Sequence, residues 1–281
     1  MSAQAFSIII PTWNNLDFLR TCVGSIRQNS AWRHEIVVHV NEGVDGTLQW
    51  LQSEGIAFTH SISNIGVCKA FNTALTRASR PVIAFLNDDM YVLPGWDEAL
   101  LHIMPDTDAW MISATMIEPR HTGNPCVVVA DYGSDLTSFR EEQLLADYSS
   151  LKRADWSGSS WPPVLMPASL WRKAGGLSEE FSPGLYSDPD LAMKVWQAGV
   201  RYFRGAGNSL VYHFQCRSTS RIKPNNGRLT FMKKWRMTPS FFYRHYLRMG
   251  QPWQGELHSA GPSELRKRLN RLRVGIQTLL Q

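Results

Sequence analysis

The fold is decided by the stretch at residues 82–90, which reads VIAFLNDDM. Its first five residues are uninterrupted apolar side chains, a pattern typical of a β-strand buried on both faces of a sheet. Asp88 and Asp89 follow at once, and because neighbouring carboxylates are costly inside a sheet, we expect them at its open carboxyl edge. Open α/β sheets bind ligands there, and paired acids can hold a hard divalent cation together with a diphosphate. The alternative is an ordinary turn with two solvated acids.

Strands and helices alternate on the N-terminal side of this stretch. Apolar, β-branched runs at 6–10, 35–40 and 56–62 predict three further strands. Helices are expected between them, the first capped by Asn15 and marked by apolar residues at helical spacing. Those residues are Leu16, Leu19, Val23 and Ile26. Four such units before residue 90 predict an α/β fold with a doubly wound, mostly parallel sheet.

The second half of the chain has a less regular pattern. Helices are predicted at 96–103, 168–173 and 189–198, and strands at 110–117 and 164–166, with a pair of strands at 201–203 and 209–212. Residues 118–160 are rich in turn formers, which suggests an excursion that covers a substrate. The sheet is therefore expected to become mixed in this half.

Composition excludes several protein classes. Of 281 residues, 43% are hydrophobic and 19% are charged, which is ordinary for a globular protein. We expect neither a secretory signal nor a transmembrane helix, since no apolar run approaches roughly 20 residues. The four cysteines are scattered singly, so a reducing cytoplasm is the simpler interpretation. They are Cys22, Cys68, Cys126 and Cys216.

Basic residues concentrate at the C-terminal end. Residues 217–281 hold 14 Lys and Arg against 2 Asp and Glu, whereas residues 1–216 hold 15 against 22. Within this part, residues 263–280 repeat apolar side chains at helical spacing, with arginines on the other face. That pattern predicts a basic amphipathic helix, which either lies on the anionic inner face of the cytoplasmic membrane or docks on its own domain. A basic face that only keeps the protein soluble is also compatible with the charge. Nucleic acid is not expected as a partner.

Seven short motifs occur along residues 9–213 in a characteristic order. They are Ile9-Ile10-Pro11-Thr12-Trp13-Asn14, Asn41-Glu42-Gly43-Val44-Asp45-Gly46-Thr47, Asn64-Ile65-Gly66, Asn87-Asp88-Asp89, Ala174-Gly175-Gly176-Leu177, Ser187-Asp188-Pro189-Asp190 and Val211-Tyr212-His213. This order resembles the family 2 glycosyltransferases, which are inverting, nucleotide-sugar-dependent enzymes with the GT-A fold. The resemblance covers roughly residues 6–215. It implies a Rossmann-like sheet with a mixed acceptor-side half, followed by a helical basic extension.

The resemblance implies a role for each matched residue. It assigns nucleotide-sugar binding to Pro11, Thr12, Trp13, Asn14, Asn41, Asp45, Asn64, Gly66, Lys69, Asn72, Asn87 and Asp88. Mn²⁺ or Mg²⁺ would be held by Asp89 and His213, with help from Asp88. For a histidine at a strand end, a surface or packed imidazole is the alternative.

Asp188 matches the acid that acts as general base in the family. A base is needed because a hydroxyl is a poor nucleophile until its proton is removed. Alternatively, Asp188 is only the N-cap of a helix that begins at Pro189. The roles of cap and base are compatible. Three positions depart from the family pattern: Val40 and Asn87 stand where relatives carry aspartate, and Ser187 stands where they carry glutamate.

The resemblance implies a metal-dependent inverting transferase that moves a UDP-linked sugar to a glycan or lipid-linked acceptor in surface polysaccharide synthesis. Residues 1–216 would form the glycosyltransferase domain, with a nucleotide-binding half at 1–104 and an acceptor-binding half at 105–216, and residues 217–281 the extension. Trp156 and Trp161 are candidates for stacking on the acceptor sugar, or else core residues. Two alternatives remain open: a non-catalytic module that binds nucleotide or glycan, and a protein that binds anionic surfaces through its basic tail.

Overall fold

The computed structural model describes residues 5–159, 162–215, 225–258 and 261–279. The first half alternates strands and helices as expected. Its elements are β1 (Ser7–Trp13), α1 (Leu16–Asn29), β2 (Glu35–Asn41), α2 (Thr47–Ser53), β3 (Ala57–Ser61), α3 (Gly66–Ala74) and β4 (Val82–Phe85). The four strands are parallel and lie in the order β3-β2-β1-β4. The predicted doubly wound half is confirmed.

The second half adds shorter strands and the remaining helices. They are β5 (Met90–Val92), α4 (Trp96–His102), β6 (Trp110–Glu118), β7 (Val128–Val129), α5 (Glu141–Asp147), β8 (Trp156–Ser157), β9 (Val164–Pro167), α6 (Ala168–Ala174), α7 (Ser187–Gln197), β10 (Tyr202–His213), α8 (Gly227–Trp235), α9 (Pro239–His245) and α10 (Glu264–Leu279). The sheet continues in the order β4-β9-β6-β10-β5, with β9 antiparallel to both neighbours and β5 antiparallel to β10. The mixed second half is also confirmed.

One strand replaces the pair of strands predicted near residue 205. β10 runs unbroken from Tyr202 to His213, and its pairing with β6 only shifts register between Ala206 and Leu210. The glycines there suggested a turn, but they serve close packing. A Cβ on Gly205 would lie 1.9 Å from the ring of Trp156, so only glycine fits beneath that ring.

Both faces of the sheet are covered by helices. Ile8 and Ile10 of β1 join a core that includes α1, whereas Ile9 points to the other face and joins a core that includes α3. This alternation follows from the period of two in a β-strand. Because β1, β2, β4, β6 and β10 run in the same direction, their carboxyl ends meet at one edge of the sheet.

The helices after residue 225 pack tightly against the rest of the molecule. Phe231 of α8 and Phe242 of α9 are fully buried in the same core as α7. Trp235 Nε1 and Lys234 Nζ also contact Asp190 Oδ1 of α7, at 2.8 and 2.9 Å. No helix in the described part of the chain is long and apolar enough to cross a membrane.

Candidate functional site

A cavity of about 580 Å³ opens at the carboxyl edge of the sheet. Its volume lies within the range of about 300–1,000 Å³ that is usual for small-molecule sites. The structure brings ten of the predicted site residues to its wall. They are Pro11, Thr12, Trp13, Asn41, Asn64, Asn87, Asp88, Asp89, Asp188 and His213. The residues predicted to bind the nucleotide sugar and the cation therefore share one cavity with Asp188, the predicted base, although they are far apart in sequence.

A larger cavity of about 1070 Å³ lies beside α4. Two carboxylates line it, those of Glu98 and Asp155, and Asp155 Oδ2 forms an ion pair with Arg204 Nη2 at 2.6 Å. Its lining also includes His102 and Asn208, but Asp155 is already paired with Arg204, and none of the predicted site residues that the structure describes lines this cavity. Chemistry rather than size therefore decides between the two.

Three strand ends bring an imidazole between two carboxylates in the smaller cavity. His213, the last residue of β10, places Nε2 3.4 Å from Asp89 Oδ1 and Nδ1 2.9 Å from Glu118 Oε1. Burial alone would lower the pKa of His213, but the charges and hydrogen bonds of Asp89 and Glu118 raise it to about 10. Asp88 lies next to this group and accepts a hydrogen bond from Thr12 Oγ1 at 2.7 Å. Two carboxylates against the imidazole, with Asp88 next to Asp89 in the chain, make this wall attractive to cations.

The fit of a divalent cation rests on Asp89 and His213. Within the described ranges, no three acidic, histidine or cysteine side chains converge as a complete set of metal ligands. A carboxylate and an imidazole do face the same cavity, and Mg²⁺ is commonly held by one or two protein ligands together with water and substrate phosphates. The residues present therefore fit a cation that a diphosphate helps to bind.

Asp188 lies in the first turn of α7 and lines the same cavity. The chain enters the helix through Tyr186, whose φ of +70° is unusual for a residue with a side chain. Burial raises the pKa of Asp188 to about 6, although a hydrogen bond from Tyr243 Oη to Asp188 Oδ2, 3.0 Å long, opposes the rise. A carboxylate with such a pKa is mostly ionised at neutral pH and still basic enough to accept a proton.

Comparisons with known proteins identify the family. The model of the family described as "Glycosyl transferase family 2" matches residues 7–143. Over residues 7–143 the chain therefore carries a family 2 glycosyltransferase domain. Two solved structures share its GT-A fold: residues 1–349 of TarS from S. aureus, with a TM-score of 0.52 at 15% identity, and GalNAc-T7, with a TM-score of 0.56 at 13% identity. The aligned regions cover 72% and 79% of this chain, and 60% and 44% of those chains.

Curated relatives are longer than this chain. The pre-mycofactocin glycosyltransferase of Mycobacterium tuberculosis is 24% identical over 207 residues, which are 71% of this chain and 41% of that protein. The O-antigen biosynthesis protein RfbC of Myxococcus xanthus is 22% identical over 221 residues, 74% of this chain and 17% of that protein. An uncharacterized protein of Sinorhizobium fredii is 26% identical over 206 residues, 69% of this chain and 23% of that protein. The chain thus spans less than half the length of these relatives.

Asn14 and Asp45, which were predicted to bind the nucleotide sugar, instead organise the turn after β2. Asn14 Oδ1 accepts hydrogen bonds from the backbone N–H groups of Gly43 and Val44, both at 3.0 Å. Asp45 accepts from the backbone N–H of Leu16 at 2.9 Å and so caps α1, the role that the sequence suggested for Asn15. Neither Asn14 nor Asp45 lines the cavity, because their polar atoms are used in holding the turn that carries Asn41.

Three more residues that were predicted to bind the nucleotide sugar lie on α3 and do not line the cavity. Gly66 begins the helix with a φ of +77° and packs against the Ser182 side chain. Lys69 is exposed on the outer surface. Asn72 exchanges two hydrogen bonds with the backbone of Leu177, at 2.8 and 3.0 Å, and so fixes the segment that leads to α7.

Trp156 and Trp161 were the candidates for contact with the acceptor sugar. Trp156 is fully buried and donates a hydrogen bond to Thr115 Oγ1 at 2.9 Å. The acceptor role expected for Trp156 is therefore wrong, because its buried ring packs against Gly205 and lines neither of the two cavities. Trp161 lies outside the described residues.

Sequence reasoning missed three residues of this site. Glu118 ends the buried strand β6, so it carries the same signal that identified Asp88 and Asp89, an acid directly after an apolar run. Tyr186 lines the cavity, and Tyr243 reaches Asp188 from α9. No pattern in the sequence marks Tyr186 or Tyr243, because their positions depend on how the C-terminal helices pack.

Proposed function

We propose that this chain transfers a sugar from a UDP-linked donor to a hydroxyl group of a glycan or lipid-linked acceptor, with inversion and with a bound divalent cation. One observation carries the proposal. A single cavity is lined both by the Asp89–His213 pair and by Asp188. A metal-assisted leaving group and a base for the incoming hydroxyl need this separation of roles.

The donor would lie along the ends of β1 and β2. Pro11, Thr12 and Trp13 offer an apolar surface with polar edges, and Asn41 and Asn64 add amides. UDP as the nucleotide is supported by GalNAc-T7, which shares the fold and was solved with UDP, GalNAc and Mn²⁺. Asn87 lies beside Asp88 and would bond to the ribose, because an amide can both donate to and accept from a hydroxyl.

Asp89 would hold the cation together with His213, whose imidazole would give up its proton on binding, and the cation would supply positive charge against the negative charge that develops on the departing diphosphate. Glu118 contributes by orientation. It bonds to Nδ1 of His213 and so directs Nε2 toward Asp89 and the cavity. Carboxylates commonly orient ligating histidines in this way. Glu118 is therefore proposed as a positioning residue of the site.

Asp188 would take the proton from the acceptor hydroxyl as that oxygen attacks the anomeric carbon. Tyr243 holds the carboxylate by one oxygen, Oδ2, and leaves Oδ1 for the acceptor. A single base that acts opposite the leaving group gives inversion, since no covalent glycosyl intermediate is formed. Base assistance of this type contributes typically ~10²–10⁴-fold in rate.

A role in surface polysaccharide synthesis is supported by the similarity to RfbC, an O-antigen biosynthesis protein. The cytoplasm is the compartment proposed for this reaction. Cys22, Cys68 and Cys126 are buried and unpaired, as suits a reducing environment.

A second candidate is a module that binds the nucleotide sugar without transferring it. Two departures from the family pattern favour it, Asn87 and Ser187. Ser187 Oγ donates to the carbonyl oxygen of Gly184 at 2.7 Å, so it does not support Asp188 as a carboxylate would.

A thermal-shift screen of UDP-sugars tests donor binding. Each sugar is added to the purified chain with and without Mn²⁺, and UDP release from the best binder is then followed over time. A ligand at 100 times its Kd should stabilise the fold by about 2.7 kcal/mol, and we expect this gain to need Mn²⁺. Stabilisation without UDP release, even with a panel of glycan acceptors, would favour the binding module. No stabilisation by any UDP-sugar would refute the proposed donor.

A further inference from the structure

The C-terminal helix α10 carries an exposed apolar stripe. Its members are Leu265, Leu269, Leu272, Ile276 and Leu279, whose exposed fractions are 68%, 58%, 67%, 60% and 87%. Other large apolar side chains that are exposed in the described residues, such as Ile62 and Val129, lie on separate elements. A contiguous apolar stripe at the surface generally marks an interaction site, whereas single exposed residues need no explanation.

The opposite face of α10 holds the helix to the body of the molecule. Asn270 is buried and exchanges two hydrogen bonds with Thr238, each 3.1 Å long. Val274 is 7% exposed, and Arg228 Nη2 donates to Gln277 Oε1 at 3.0 Å. At about 100° per residue, the five apolar side chains fall within an arc of about 80°, with Val274 opposite its centre. The docked face is thus already satisfied, and the stripe points away from the protein.

Arginines border the stripe on both sides. Arg266 and Arg273 lie along one edge, Arg268 and Arg271 along the other, and all four are exposed. The single acid of the helix, Glu264, is paired with Lys267 at 2.7 Å. The flanks are therefore uniformly positive, and the surface that covers this stripe must be apolar in its centre and negative at its borders.

We propose that α10 binds an anionic lipid bilayer and lies in the plane of its interface. The stripe would enter the boundary between headgroups and acyl chains, and the flanking guanidinium groups would reach lipid phosphates. The spacing of four and three residues along the stripe would also suit a coiled coil with a second copy. In that pairing, however, the bordering arginines of the two copies would face each other, which disfavours it.

In this binding mode two helices, α10 and α8, separate the bilayer from the helix that carries Asp188. α10 packs against α8, and α8 contacts α7 through Lys234 and Trp235 on Asp190. Asp188 lies in the first turn of the same α7. The proposal does not depend on the proposed function, since vesicle binding can be measured without turnover.

Vesicle sedimentation tests the proposal directly. The whole chain is mixed with vesicles of phosphatidylcholine alone, or of phosphatidylcholine with phosphatidylglycerol, and the bound fraction is measured at low and high salt. We expect binding to the anionic vesicles alone, weakened by salt. Replacing Arg266, Arg268 and Arg273 with glutamine should reduce the partition constant by about a hundredfold, at roughly fivefold per charge near the surface.

The apolar stripe has its own variants and a matched control. Leu269→Ser with Leu272→Ser should reduce binding at least tenfold, whereas Ile62→Ser with Val129→Ser removes as many exposed apolar side chains elsewhere and should leave binding unchanged. Melting curves check the fold, and Leu279→Ser replaces the double variant if that one melts early. Equal binding to neutral vesicles, or an unchanged partition in the stripe variants, would overturn the proposal. So would a stable dimer that the stripe variants dissociate while no vesicle binding is seen.

Discussion

Replacing Asp188 with asparagine should separate the catalytic role of this carboxylate from the free-energy cost of burying its charge. Asparagine keeps the shape of the side chain and can still accept the hydrogen bond from Tyr243, so the local packing is retained. It removes the charge and the ability to take a proton. We expect the rate of sugar transfer to fall by ~10²–10⁴-fold, while UDP-sugar affinity stays near the wild-type value.

The same substitution should stabilise the protein at high pH. The pKa of Asp188 is raised from 3.8 to about 6, so the folded state binds the proton more tightly than the unfolded state does. Stability is therefore lost as the pH rises from about 4 to about 6, by at most about 3 kcal/mol for two pKa units, and the cost then stays constant. Because the carboxylate is partly exposed to the cavity, water screens it, and we expect about 1–2 kcal/mol.

Urea unfolding at two pH values measures this cost. The variant should exceed the wild type by the full amount at pH 8, and by about a third of it at pH 4.5, where the carboxylate is largely protonated in the folded protein. Asp106→Asn, an exposed aspartate outside the site, is the control and should show no such difference. Equal stability of the Asp188 variant and the wild type at pH 8 would refute the burial argument, and retained turnover would refute the base.

Three further changes test other parts of the structure. Tyr243→Phe removes a hydrogen bond that lowers the pKa of Asp188, so the acid limb of the kcat–pH profile should move upward by about one unit; an unmoved limb would contradict the contact. His213→Gln should abolish the Mn²⁺-dependent part of the thermal shift given by UDP, and a retained shift would remove His213 from the cation site. Gly205→Ala forces a methyl group against the Trp156 ring and should cost about 1–3 kcal/mol in urea unfolding, with a near-neutral result showing that the strand can yield.

The sequence predicted the acids at the sheet edge because the signals for them are local. An acid directly after a buried strand must lie at a sheet edge, and parallel strands bring such edges together. Asp88, Asp89 and His213 therefore meet as their positions suggest. Glu118 belongs to the same pattern. It also begins a stretch rich in turn formers, where an acid is equally typical of a surface loop, so the sequence alone does not mark it as a site residue.

The base side was harder to predict because its contacts join distant parts of the chain. Tyr243 is 55 residues from Asp188, and nothing about a tyrosine on a short helix indicates which carboxylate it will meet. Trp156 was ambiguous for a different reason, since a tryptophan suits a sugar and a core equally well. The orientation of α10 was decided by Asn270, a polar residue whose bonds to Thr238 required the apolar stripe to face outward.

The contact between α9 and α7 also fixes when the reaction centre is completed. During synthesis, every acid that lines the cavity leaves the ribosome before Tyr243 does. A polypeptide that stops short of α9 would contain both halves of the sheet, yet its proton acceptor would have no hydroxyl to hold it in place. Because Phe242 of α9 is also buried in the same core as α7, such a product would lose part of that core together with the hydroxyl that bonds to Asp188.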